Sequence, residues 1–237
     1  MANTHSISLT KASSQYLSVA DTAPLSITGD LTIECWVKLS SAPSSGQEYA
    51  IIGKSTTAGN QVSYYFYYVN NGGTPAIEIL VDSAGTLVTF DRLTVNYTLS
   101  TGVWYHVAVT WDTNGSSSST ATFYVNGSSI GTDTSSIFAI FNSTSPFAIG
   151  ALGSSTNHWD GKIDDVRVWD TIRSGAQISA NYQTEIDSAS NLQGSWHLNN
   201  VLTDSSGNAA TLTNNNSATF STDIPVWTSF IPKMTII

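Results

Sequence analysis

His158-Trp-Asp-Gly-Lys-Ile-Asp-Asp-Val-Arg-Val-Trp-Asp-Thr-Ile-Arg-Ser-Gly-Ala-Gln-Ile-Ser-Ala-Asn-Tyr182 is the most informative stretch of the chain. An aromatic and a tight turn lead into an alternating strand, and the strand runs into a short capped helix. Ser174 and Gln177 have the spacing of a capping box, Ser at the N-cap and Gln at N3. Ile178 and Tyr182 then share one helix face, to be buried against a sheet. Asp164 and Asp165 are neighbours, so regular strand geometry sends them to opposite faces, where they cannot act as a pair.

Strand patterns recur on both sides of this stretch, bounded by Gly, Ser, Asn and Asp. Residues 31–39 place Leu31, Ile33, Cys35, Val37 and Leu39 on one face and Thr32, Glu34, Trp36 and Lys38 on the other. Residues 61–69 place Tyr64, Phe66 and Tyr68 opposite Tyr65 and Tyr67. Residues 103–112 are apolar on both faces, which suits a central strand. Asn126-Gly127 between two alternating runs is a type I′ hairpin signature. Further strands are expected at 6–9, 16–19, 49–54, 76–82, 86–93, 147–150, 191–198 and 210–213. The reading is an all-β, two-sheet antiparallel sandwich with one short helix near 174–182. Residues 1–229 form a single domain, and the apolar tail 230–237 is an interface segment that packs in cis or in trans.

Composition closes off several functions. Apolar residues make up 41% of the chain, enough for a large core, and charged residues only 11%, against about a quarter in ordinary domains. The net charge is −9 and the eight Lys and Arg are not clustered, so no phosphate-tracking surface exists for nucleic acid or anionic lipid. No run approaches the ~18 apolar residues of a membrane span. The start carries no basic and apolar leader, so no signal peptide is expected.

Chemistry is scarce. Cys35, the single cysteine, falls at an apolar strand position and reads as a small buried hydrophobe. The four histidines lack metal spacing, and His106 reads as a packed side chain. Gly127-Ser-Ser-Ile-Gly131 matches G-x-S-x-G, but it straddles a hairpin rather than the strand-to-helix elbow that motif requires. The four Glu (Glu34, Glu48, Glu78, Glu185) do not fall in the E-x-D-x-E pattern of sandwich glucanases. Asp204-Ser-Ser-Gly-Asn208 admits two readings. One is an Asx turn in which Asp204 bonds its own backbone. The other is a calcium loop, with Asp204 joined by Asp165 and Asp21. Aromatics are the remaining resource, since sugars stack their C–H faces on rings and pair their hydroxyls with amides and carboxylates. Asn157, His158 and Trp159 in a loop, and Tyr65 and Tyr67 on one strand face, are the candidate ligand-binding residues.

Residues 159–170 are similar to the "F-x-G-x-I-D-E-V-R-I-Y-N" signature of the LamG-like jelly-roll family, in the laminin G, pentraxin and concanavalin A-like lectin/glucanase superfamily. Residues 104–112 resemble its "W-H-H-V-A-V-T-Y-D" strand, and Phe123-Tyr-Val-Asn-Gly127 its "L-Y-V-N-G" hairpin. Residues 16–19 and 31–38 resemble its opening strands. Trp196-His-Leu198 with 204–208 resembles its "Y-W-x-F … D-S-S-G-N" segment. The family's pentraxins carry calcium on an acidic cluster whose counterpart here, 151–156, holds no carboxylate.

The resemblance implies a jelly roll and a function drawn from lectins, adhesion modules, decoration domains and hydrolases. The expected function is a non-enzymatic recognition or adhesion module, outside a cell or on a virion surface, that binds carbohydrate or a surface glycoconjugate. The alternative is a self-assembling, homo-oligomeric structural or decoration subunit of a phage virion or extracellular filament. A third reading, glycoside hydrolysis, would rest on Glu34 or Glu78.

Overall fold

The computed structural model describes residues 3–56, 59–115, 117–153 and 156–227. The strands, in chain order, are β1 (Ser6–Leu9), β2 (Tyr16–Val19), β3 (Leu31–Leu39), β4 (Glu48–Thr56), β5 (Gln61–Asn71), β6 (Thr74–Asp82), β7 (Phe90–Asn96) and β8 (Trp104–Asp112). They continue as β9 (Ser119–Val125), β10 (Ser128–Ser135), β11 (Phe147–Ile149), β12 (Gly161–Trp169), β13 (Leu192–Trp196), β14 (Thr213–Asn215) and β15 (Thr219–Ser221), with helix α1 (Gly175–Asn181) between β12 and β13. Two antiparallel sheets face each other. The first runs β10-β9-β8-β3-β12-β1-β15, with β13 also on β12; the second runs β14-β2-β11-β4-β5-β6-β7. This is the two-sheet antiparallel sandwich expected from the strand pattern, and the jelly roll that the resemblance implied. The tail 230–237 lies outside the described residues.

β12 is the pivot of the first sheet. One edge pairs with β3; the other pairs with β1 over residues 161–163 and with β13 over residues 166–169. Gly161 is required at its start, because its φ is +150° and a Cβ there would lie 2.0 Å from the Lys38 carbonyl oxygen. The strand is not regular. Asp164 pairs with Trp36 and Arg167 with Glu34, so two residues, Asp165 and Val166, stand opposite Cys35. Asp165 has φ +43° and forms the extra residue of this β-bulge. The bulge keeps Ile163, Val166 and Val168 in the core and corrects the expectation for the two aspartates. Both carboxylates bond on the side away from the core, Asp164 to Asn3 and Asp165 to Arg167 and His197.

Between the sheets lies one apolar core. Leu31, Ile33, Cys35, Val37 and Leu39 enter it from β3, and Tyr64, Phe66 and Tyr68 from β5. Burial pushes the Cys35 thiol well up, so it is a packing group. The hairpin turn has Asn126 at φ 49° and Gly127 at φ 77°, as a type I′ turn needs. β7 begins at Phe90, not at 86. The Asp82 carboxylate accepts from the backbone N–H groups of Ala84, Gly85 and Leu87, which holds that segment as a turn.

The centre of the first sheet's outer face is covered by the chain that follows β12. The capping box forms as the spacing predicted: Gln177 N donates to Ser174 Oγ at 3.2 Å, and Ser174 N to Gln177 Oε1 at 2.8 Å. Ile178 packs on Ala108 and Tyr124, and Tyr182 stacks on Trp36. Ser174→Ala removes the cap. The expected cost is about 1 kcal/mol, or roughly 2–4 °C in unfolding midpoint, measurable by thermal circular dichroism. Among the described residues no helix is long and apolar enough to cross a membrane.

Beneath this cover Glu34 is fully buried at the centre of a charged cluster. Its Oε1 accepts from Trp169 Nε1 at 2.9 Å and lies 3.5 Å from Arg173 Nε and 3.7 Å from Arg167 Nε; its Oε2 lies 3.3 Å from His106 Nε2. Burial alone would raise its pKa. Arg167, His106 and Arg173 overcome that and hold it down to about 2. Burial in turn pushes the His106 pKa down, so this histidine is a packed group, as its place in mid-strand suggested.

Candidate functional site

With the first sheet covered, the face of the second sheet turned away from the core is the natural place for a site. Strand alternation puts Ala50, Val62, Tyr65, Tyr67, Val69, Ala76 and Leu80 there as a second apolar cluster, with Leu87 and Leu152 packed on it from loops. Tyr65 and Tyr67 stand two residues apart and stack at 4.3 Å. Their hydroxyls take different partners. Tyr67 donates to Glu78, which also accepts from Asn71 Nδ2 at 2.5 Å and Thr94 Oγ1 at 3.0 Å. Tyr65 OH meets Asn157 Nδ2 at 3.2 Å, and the same amide donates to Glu48 Oε2 at 2.7 Å. The other Glu48 oxygen is 3.1 Å from Arg92 Nη1.

Beside this network lies a cavity of about 70 Å³ lined by Glu48, Ser55, Val62, Tyr65, Leu80, Leu87, Arg92 and Leu152. One end is polar and partly open: the Arg92 side chain is 49% exposed and that of Glu48 18%. The other end is apolar. Burial pushes the Glu48 carboxyl up, with Glu78 adding to the effect and Arg92 opposing it. A wider depression of about 370 Å³ lies near the end of β7, between Phe90, Asp91, Ile137 and Phe138. Its polar groups serve their own backbone, Ser83 Oγ bonding to Thr89 O and Asp91 Oδ1 accepting from Arg92 N. The smaller cavity is the one where polar groups converge.

The candidate ligand residues therefore separate. Tyr65 lines this cavity, Asn157 bonds to it and to Glu48 from behind the lining, and Tyr67 stacks on Tyr65, fully buried. His158 and Trp159 are corrected. Asn157 has φ +55°, and past it the chain sends Trp159 into the core while His158 stays outside it, away from the cavity lining. Trp159 is 0% exposed, packs edge-on to Tyr49 and belongs to the core. His158 is buried and lies against Tyr16. Neither presents a ring to solvent, and neither do Tyr65 and Tyr67, whose rings are covered by loop residues. Reading the sequence missed Glu48, Arg92, Leu80 and Leu152. Arg92 is out of phase with Leu93 and Val95 and so marks an outward position; which strands sit side by side is not visible from one strand alone.

The candidate calcium ligands do not converge either. Asp204 Oδ1 accepts from Ser195 N and Ser206 N, and its Oδ2 from Ser206 Oγ and Ala210 N, so the Asx-turn reading describes it. Asp165 is held by Arg167 and His197, and Asp21 by the buried Lys54 at 2.6 Å. Among the described residues no group of three or more His, Cys, Asp or Glu could hold a metal ion. Nor do the carboxylates suggested for hydrolysis stand free. Glu34 is sealed under the helix, and Glu78 is 3% exposed with three donors on it.

A family model described as the concanavalin A-like lectin/glucanases superfamily matches residues 11–179. No curated protein matches the chain by sequence. A candidate carbohydrate-binding protein of Bacteroides ovatus ATCC 8483 superposes with TM-score 0.71 at 21% identity, over 95% of this chain and 62% of its own. The chain thus spans 62% of that protein's length. The heptameric SAP-like pentraxin of Limulus polyphemus superposes with TM-score 0.61 at 17% identity, over 92% of this chain and 94% of its own. The CBM40 of Ruminococcus gnavus IT-sialidase, bound to alpha2,3 sialyllactose, gives 0.55 at 16%, over 70% and 92%. At these identities the likeness is one of fold.

Proposed function

Because the chain belongs to the concanavalin A-like lectin/glucanases superfamily, we propose that it is a non-enzymatic recognition module that holds a carbohydrate at the cavity on the outer face of the second sheet. The observation that carries this reading is the convergence of Tyr65, Glu48 and Arg92, from three separate strands, on one cavity with apolar walls, with Asn157 holding Glu48 and Tyr65 in place from a loop. A sugar is amphipathic in the same way. Its C–H edge suits Leu80, Leu87 and Leu152; its hydroxyls suit a carboxylate acceptor beside a guanidinium donor. Two of the structures that share the fold, from B. ovatus and R. gnavus, are described by carbohydrate binding, which supports the class of ligand.

The test is a glycan array followed by titration calorimetry, with and without calcium. The expected result is binding that is indifferent to calcium and weakened about tenfold or more by Glu48→Gln or Asn157→Ala, since each leaves a polar partner unsatisfied. An array without hits, or hits that both variants retain at full strength, would count against the site.

A further inference from the structure

We infer that this cavity selects an uncharged sugar terminus and rejects sugars that carry a carboxylate. The inference rests on the carbohydrate reading above and concerns the charge and the reach of its ligand.

Charge comes first. Among the described residues Arg92 is the single cation lining the cavity, and its guanidinium is already paired with Glu48 at 3.1 Å. Glu78 lies next to Tyr67 on the same sheet face and is close enough to act electrostatically on Glu48. A neutral sugar needs no change in this balance. One hydroxyl donates to Glu48 while its neighbour accepts from Arg92, and the pair spans the existing ion pair. A carboxylated sugar must instead compete with Glu48 for Arg92. Success strands Glu48 beside a second anion in a partly desolvated site, and like charges brought together at an interface disfavour binding strongly. The surroundings offer no relief. Asn157 is neutral, and Lys54, the cation of the same strand, is buried against Asp21 and two backbone carbonyls.

Reach follows from volume. About 70 Å³ is room for a handful of waters. It admits the edge of a sugar ring, such as a hydroxyl pair with its carbons, not a chain lying lengthwise. Leu87 and Leu152 line it from two separate loops, which leaves the small cavity to the end of a ligand.

The experiment uses the full chain and matched glycan pairs, each a neutral chain beside the same chain capped by a carboxylated sugar; lactose and sialyllactose are one pair. Leu152→Trp, which fills the cavity, serves as the site control. The expected result is that the neutral member binds tenfold or more tightly in every pair that binds at all, and that Leu152→Trp abolishes it. Acidic members that bind equally or better, and lose binding in Leu152→Trp, would overturn the charge inference while leaving the site in place. Binding indifferent to Leu152→Trp, or no binding across the panel at millimolar sugar, would overturn both.

Discussion

Glu34→Gln is expected to lower stability by about 3–5 kcal/mol, the cost of removing one partner from a buried ion pair. For a chain of this size that is roughly 6–20 °C in unfolding midpoint. The reason is what the substitution leaves behind. Among the described residues, Arg167, fully buried, keeps Asp165 as its one acidic partner, and Arg173 loses its carboxylate. The neutral amide can still accept from Trp169 Nε1, so a loss of this size reports charge rather than hydrogen bonding.

The pH dependence separates the two further. The folded Glu34 pKa of about 2 lies below the ordinary 4.5. Its contribution is therefore complete above pH 4.5 and is lost as pH falls through 2. Wild type and Glu34→Gln should differ most near neutrality and converge on acidification, as followed by urea unfolding at a series of pH values. A gap that stays constant down to pH 2 would show that the carboxylate's charge does not hold the cluster together.

Trp159→Ala is expected to cost about 3–5 kcal/mol as well, the range for truncating a large buried aromatic. Trp159→Phe should recover part of this, since it keeps a ring against Tyr49. The result discriminates between two roles. A Trp displayed to stack on a sugar would be replaced at a cost within about 0.5 kcal/mol, with binding lost. A core Trp gives the opposite signature: lower stability, and unchanged affinity in whatever fraction remains folded. Asn157→Ala, two residues earlier, should show the reverse pattern, a modest effect on stability and a clear one on binding. Thermal unfolding and calorimetric titration on the same three variants check this directly.

The contrast between those neighbours shows where sequence reading reaches its limit. Asn157, His158 and Trp159 look like one loop, and a bulky aromatic in a loop suggests a displayed ring. A positive φ at Asn157 divides them between two faces. Asn tolerates that conformation, but whether a given Asn adopts it depends on what the flanking strands demand. The aspartates of β12 make the same point. Their spacing places them on opposite faces only if the strand is regular, and the bulge at Asp165 removes that premise.

What the sequence determined by itself was local and periodic. Alternation in β3 and β5, the Asn126-Gly127 turn, the Ser174–Gln177 capping box and the core role of Cys35 follow from geometry that acts over a few residues. They were enough to specify two antiparallel sheets and a capped helix. Tertiary structure alone decided which outward side chains became neighbours. Glu48, Tyr65, Leu80 and Arg92 come from β4, β5, β6 and β7, and Asn157 reaches them from far along the chain. Strand order and register bring them together, and these depend on how the whole core packs. The pattern shows which residues point away from the core; only the assembled sheet shows which of them share a cavity.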